Sequence, residues 1–324
     1  MTSPAEPAAT PSEPRRGATR TRSFGSGRRE NHDASGFYSR FHPPEVSEDA
    51  EVRPAAVVDR IFCGDATAMT QAQVADKSVA LVVTSPPYFT GKEYEQELGS
   101  GHVPESYFDY LDKLHDALAV CVDKLEPGGR VAINVANLGR KPYRSLSADM
   151  IGILQDDLGL LMRGEIIWQK ARGAGGSCAW GSFRSPANPV LRDVTERVIV
   201  ASKGRFDRAL PRRRRQELGL PHEPTIETTD FLESTLDVWE IPAESATRVG
   251  HPAPFPMELP RRLIELYTYR GDLVLDPFIG SGTTAVAAAS SGRHYVGFDT
   301  DPSYVALAEE RIAISGATFP ADTR

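Results

Sequence analysis

Cysteines are few in this sequence and none are neighbours. Cys63, Cys121 and Cys178 are the only three. That spacing excludes a disulfide framework and a CxxC metal knuckle, no metal is expected, and a reducing compartment suits it. Long apolar runs are missing too. No stretch of roughly 18 apolar residues exists to cross a bilayer, and the first residues lack the apolar segment of a signal peptide. A cytoplasmic, nucleoid-associated protein is the expectation. Positive charge is not in excess: 37 Lys/Arg stand against 44 Asp/Glu, a net of −7. Taken whole, that balance argues against a polyanion partner, but binding depends on where the charges sit.

Aliphatic residues are scarce in residues 1–54, which are rich in Pro, Ala, Ser, Arg and Glu. Such a segment cannot bury enough apolar surface to offset the entropy of ordering, so it reads as a disordered tail. Its arginines (Arg15, Arg16, Arg20, Arg22, Arg28 and Arg29) read as solvated.

From residue 59 onward, strand and helix patterns alternate. The β-rich runs are RIFCGDA (60–66), SVALVVTS (78–85), RVAINVAN (130–137), GEIIWQK (164–170), RVIVASK (197–203), LVLDPF (273–278) and HYVGFD (294–299). Helical patterns cover 106–125, 256–268, 282–291 and 303–314. In the first of these, Phe108, Leu111, Leu114, Leu118 and Cys121/Val122 form a stripe at spacings of three and four. Alternation of this kind predicts an α/β fold, doubly wound, on a mostly parallel sheet of seven strands. Residues 204–245 break the pattern with a Pro-rich, irregular stretch. Charge shifts there as well: from Arg163 to Glu217, 13 Lys/Arg against 5 Asp/Glu leave a local +8. A basic insert on an acidic body is what a phosphate-contacting surface looks like, and Lys203, Arg205, Arg208, Arg212, Arg213, Arg214 and Arg215 are its candidates.

Two loops carry the chemistry. In LVVTSPPYFTGKEYE (81–95), an apolar strand runs into Ser85, Pro86, Pro87 and Tyr88. Prolines cannot continue a central strand, so a stiff, aromatic-tipped loop stands at its end. In VLDPFIGSGTTAVAAA (274–289), a strand ends at Asp276 and a glycine turn opens a helix. Gly280 and Gly282 let backbone approach a ligand closely, and the helix N-terminus offers free N–H groups. Asp299 ends the next strand, where an acidic residue commonly takes ribose hydroxyls. A dinucleotide is disfavoured, because the spacing is not GxGxxG and the Asp276 carboxylate would repel a pyrophosphate. A nucleoside with a cationic amino-acid part fits better.

TSPPY followed by DPFIGSGTT resembles the β-type, circularly permuted amino-methyltransferases of DNA, a likeness that runs over about residues 58–315. The resemblance implies S-adenosyl-L-methionine as cofactor and duplex DNA as partner, with a cognate restriction endonuclease as a companion. It implies a catalytic half at 55–203, a target recognition insert at 204–245, a cofactor half at 246–315 and a tail at 316–324. Tyr88 would stack on a flipped-out base, while Ser85 Oγ and the Pro86 carbonyl, held by Pro87, would accept hydrogens from its exocyclic amine. No covalent intermediate is needed, in keeping with the lack of any Pro-Cys pair. Asp65 would meet the adenine of the cofactor, Phe278 would pack beside it and Asp276 would lie near the methionine amino group. Pro277, Gly280, Gly282, Thr283 and Asp299 complete that set. His251, in HPAPFP, either closes over the methionine end or is a turn residue. The Ser85 form resembles the cytosine-N4 group; adenine N6 is the alternative, followed by an RNA methyltransferase and by a DNA-binding regulator without activity.

Overall fold

The computed structural model describes residues 46–87, 106–137, 143–170, 181–243 and 255–316. Its strands are β1 (Arg60–Cys63), β2 (Val79–Thr84), β3 (Leu125–Val135), β4 (Leu161–Gln169), β5 (Thr195–Ser202), β6 (Val238–Glu240), β7 (Leu273–Asp276) and β8 (His294–Asp299). They form one eight-stranded sheet in the order β1-β8-β7-β2-β3-β5-β4-β6. β5 runs antiparallel to β3 and β4, and the other pairings are parallel. The helices are α1 (Tyr107–Lys124), α2 (Leu146–Gly152), α3 (Arg212–Glu217), α4 (Thr228–Ser234), α5 (Glu258–Tyr267), α6 (Thr283–Ser290) and α7 (Pro302–Ser315).

β2 shows why the sheet is covered on both faces. All six of its residues are buried, as an apolar strand between two parallel neighbours requires. Val79 and Val82 join a core with Leu114, Leu118 and Cys121 of α1 and Met150 of α2. Leu81 and Val83 point the other way, into a core with Leu259 and Leu263 of α5, Ala285 of α6 and Ala308 of α7. From Leu81 to Val83 successive side chains alternate between the faces, a register shift between Val79 and Leu81 brings Val79 to the face of Val82, and each fully buried aliphatic contributes roughly 1.5–3 kcal/mol. The doubly wound α/β expectation holds.

α1 begins at Ser106, whose side chain accepts from the Asp109 N–H as an N-cap. Its buried face differs from the expected stripe. Tyr110, Leu114, Ala117, Leu118 and Cys121 are buried, while Phe108 is exposed. The face starts at Tyr110, so Phe108 falls to one side of it.

Two further expectations are corrected. Residues 204–245 are not irregular throughout: they hold α3, α4 and β6. β6 adds the eighth strand by pairing Val238, Trp239 and Glu240 with Ile167, Trp168 and Gln169 of β4. Trp239 is buried there, and Trp168 Nε1 donates to the Ile241 carbonyl at 2.7 Å. Nor do residues 46–54 belong to a free tail. The Ser47 N–H donates to the Gly204 carbonyl and the Arg53 N–H to that of Lys77, while Lys77 pairs with Asp49 and Glu51. This segment is held by backbone and charge, not apolar burial, so its composition concealed it.

Chain path also locates a site. From β7 the chain passes through α6 to β8, while from β2 it passes through α1 to β3 on the other side. β7 and β2 are neighbours, so their carboxyl ends flank a crevice where the chain diverges, the usual ligand position in open α/β sheets.

Candidate active site

Both sequence loops leave the sheet at that crevice, and one hydrogen-bond set ties them together. Thr84 Oγ1 donates to Asp276 Oδ1 at 2.6 Å, across a sequence separation of 192 residues. Thr284 Oγ1 donates to Asp276 Oδ2 at 2.6 Å, and the Phe278 N–H donates to Oδ1 at 3.0 Å. Asp276 is 1% exposed. Burial pushes its carboxyl up to about 6, against the pull of these donors. Asp276, expected near the methionine amino group, has both oxygens engaged in this clasp between the loops.

The glycine turn has the predicted form. Gly280 and Gly282 have φ of +49° and +81°, in the left-handed region. A Cβ at Gly282 would lie 2.7 Å from the Ala308 Cβ, so α7 packs directly on the turn. Asp299 Oδ2 accepts from the Gly280 N–H at 3.0 Å and Oδ1 from the Asp301 N–H at 2.9 Å. Burial raises the Asp299 carboxyl above the ordinary carboxylate range. Thr283 is buried, and its hydroxyl accepts from Arg311 Nη1, which also donates to Ser281 Oγ at 2.7 Å. Pro277 is buried and Phe278 half-buried. Next along the edge, Cys63 of β1 pairs with Asp299, and the exposed Asp65 follows. Asp65 caps a short turn through the Thr67 N–H at 2.8 Å. Between these two carboxylates Gly64 faces open space: a Cβ there would meet nothing within 4 Å. A glycine turn, two acidic side chains and room between them fit a nucleoside-bearing cofactor.

On the β2 side, Ser85 is half-buried, Pro86 buried and Pro87 exposed. Tyr88, the Lys92-Glu93-Tyr94-Glu95 segment and His251 lie outside the described residues. Ser85 begins a polar row that the sequence patterns did not reveal. Asn134 Nδ2 lies 3.5 Å from Ser85 Oγ and donates to Glu196 Oε2 at 2.5 Å. Lys170 Nζ donates to Glu196 Oε1 at 2.9 Å. The row crosses the carboxyl edge of the sheet from β2 over β3 and β5 to β4. A signal for it was available: Ala132, Val198 and Trp168 pack in the α5–α7 core, and two residues on from the first and last stand Asn134 and Lys170, two before the second Glu196.

The arginine run of the insert does not reach this edge. Arg208 and Arg215 are buried against Glu126 and Asp272, at the amino ends of β3 and β7. Arg215 is 1% exposed, with Nη1 at 3.0 Å from Glu126 Oε1 and Nη2 at 3.1 Å from Asp272 Oδ1. Arg208 Nη1 lies 3.0 Å from Asp272 Oδ2, and its Nε donates to Glu126. Lys203 Nζ donates to the carbonyls of Asp123 and Leu125, and Arg205 Nη1 donates to that of Asp49. Desolvation lowers the Lys203 amine from its ordinary value. These four serve the packing of the insert on the body, and the expected phosphate contacts of Arg208 and Arg215 are overturned by their burial. Arg212, Arg213 and Arg214 are exposed, Arg213 and Arg214 pairing with Glu217.

Comparison with known proteins decides the family. The profile of the N6_N4_Mtase family, described as DNA methylase, matches residues 79–310. The chain belongs to the DNA methylase family. Among members, the type II methyltransferase M.MjaI of Methanocaldococcus jannaschii is 29% identical over 293 residues, covering 79% of this chain and 91% of that protein. Type II methyltransferase M.MthZI of Methanothermobacter thermautotrophicus is 30% identical, covering 74% of this chain and 73% of its own. A putative DNA modification methylase of Thermus thermophilus, solved in complex with S-adenosyl-L-methionine, superposes with a TM-score of 0.60 at 29% identity, over 81% of this chain and 95% of that one. The methylase profile spans the serine loop, the polar row and the glycine turn, so the clasp and the row are parts of one family domain.

Proposed function

We propose that the chain is a site-specific DNA methyltransferase that acts on N4 of a cytosine turned out of duplex DNA, in a restriction-modification setting. Its methyl donor is S-adenosyl-L-methionine, which supplies an activated methyl group on a sulfonium. The observation that carries the reading is the Thr84–Asp276 clasp, which fixes the serine loop beside the glycine turn. Asp299, Asp65 and the turn at Gly280 and Gly282 would hold the donor. Ser85 Oγ and the Pro86 carbonyl would accept hydrogens from the exocyclic amine and aim its lone pair, with Pro86 and Pro87 keeping the carbonyl in place. Tyr88 would stack on the flipped base. Serine at the first loop position supports cytosine.

The DNA would lie across the carboxyl edge. Residues 181–194 rise there between β4 and β5, closed by a Gly181–Pro189 bridge. Phe183 and Leu191 are exposed on this loop, at 68% and 95%, beside Arg184 and Arg192. Apolar tips with flanking arginines suit contact with a duplex from which a base has been removed.

The test is product identity. Unmethylated DNA is incubated with the purified chain and labelled donor, digested to nucleosides and analysed by mass spectrometry. N4-methylcytosine is expected. N6-methyladenine would overturn the base assignment, and label in neither would overturn the activity.

A further inference from the structure

Within the polar row lies a buried acceptor that the described residues leave unsatisfied. Asn134 is 3% exposed, and its Oδ1 has no hydrogen-bond partner among the described residues. Buried polar atoms are nearly always paired, so an orphan beside a reaction centre calls for a donor that comes with a ligand. The direction of the amide is set. Nδ2 donates to Glu196 Oε2 at 2.5 Å, and exchanging the amide's O and N would bring two acceptors face to face. Glu196 is in turn held by Lys170. Strand register brings the amide to the serine: Ile133 pairs with Thr84, so Asn134 stands level with Ser85.

We propose that Asn134 contacts the target amine, its Oδ1 accepting one of the amine's two hydrogens, and that Glu196 is the positioning residue that turns Oδ1 toward the base. This rests on the methyltransferase reading above. Of the amine's two hydrogens, Oδ1 shares one with Ser85 Oγ and the Pro86 carbonyl takes the other. An acceptor on each hydrogen favours the pyramidal nitrogen that presents its lone pair for transfer. Glu196 acts by shape: any acceptor oxygen at its place would hold Nδ2. The substrate class follows, a base with an exocyclic NH2.

Three variants test this on unmethylated DNA with labelled donor, beside calorimetric titration of the cofactor and urea unfolding. Asn134→Ala should lower kcat about 100-fold, the scale of one lost preorganised hydrogen bond, with cofactor affinity and KM for DNA within about twofold. Glu196→Ala should lower kcat by about tenfold or more, and Glu196→Gln made together with Lys170→Met, which leaves the glutamine oxygen to Nδ2, should recover most of it. An Asn134→Ala enzyme within about threefold of the parent would overturn the proposal. So would a Glu196→Gln, Lys170→Met enzyme as impaired as Glu196→Ala, since charge and not shape would then be at work. Losses that track unfolding in urea, with kcat, KM and cofactor affinity failing together, would reduce both residues to a structural role. A parent chain that transfers no methyl would overturn the methyltransferase reading, and this inference with it.

Discussion

The buried carboxylate of Asp276 links stability to pH. Its folded value of about 6 lies above that of an exposed aspartate. Between roughly pH 4 and pH 6 the folded state keeps a proton that the unfolded chain has released, so stability falls as pH rises through that window. The shift corresponds to about 3 kcal/mol, fully lost above pH 6. Asp276→Asn should flatten this part of the profile, read as urea-unfolding free energy at pH 4 and 6.5; parallel profiles for parent and variant would contradict the assignment. Tyr88→Ala should keep cofactor affinity and cut turnover heavily, and near-normal methylation would remove its stacking role. Asp299→Ala should show the reverse, a loss of cofactor affinity of roughly 1.5–3 kcal/mol by calorimetry if the ribose bonds are charge-assisted. At this scale the sequence was legible where a residue sits in a motif. Ser85, Gly282 and Asp299 lie where the motifs put them. Asn134 and Glu196 show in the sequence only as polar residues two positions from core residues; what brings them together is strand register, which no local spacing encodes.

Elements were easier to read than their contacts. All seven expected strands exist, and those buried along their whole length between parallel neighbours, β2 and β7, are continuous apolar runs with sharp ends. β6 was lost because Val238-Trp239-Glu240 is too short to show a period. Phe108 was misplaced because a stripe at spacings of three and four can be drawn on several faces of an 18-residue helix such as α1. The packing of α7 on the glycine turn could not be foreseen, and it makes a prediction. Gly282→Ala forces a Cβ against Ala308 at a φ of +81°. Adopting that φ costs an alanine about 1–2 kcal/mol before α7 moves. Both stability and cofactor affinity should fall, and calorimetry showing parental affinity would mean the turn does not hold the donor.

Charge distribution belongs to the molecule as a whole, and there composition misled. The +8 window is real, but Arg208 and Arg215 face inward, onto Glu126 and Asp272. From Glu126 to Asn134 is about 25 Å along β3, so the arginine run and the serine loop are at opposite ends of the sheet. Replacing Arg212, Arg213 and Arg214 by serine should leave the slope of log K against log salt for duplex DNA unchanged. Replacing Arg184 and Arg192 should flatten it, by about 0.9 for each phosphate no longer neutralised. The opposite pattern would move the DNA to the amino edge. Arg215→Met should cost about 3 kcal/mol in urea unfolding, since it strips a partner from two buried carboxylates.

The order of pairing across the sheet also governs how the protein is made. β2 finishes at Thr84 and its neighbour β7 starts at Leu273, and β1 lies against β8 at the chain's far end. At about 5–20 residues per second, some ten to forty seconds of translation separate β2 from β7. Throughout that interval one long side of an apolar strand has no ladder partner, and β1 has no sheet to join. The crevice is not complete until the glycine turn after β7 has left the ribosome. Nascent chains are therefore inactive and exposed to edge-to-edge association, and stalling downstream of β5 should yield aggregate or chaperone-bound chain, with no partly active enzyme.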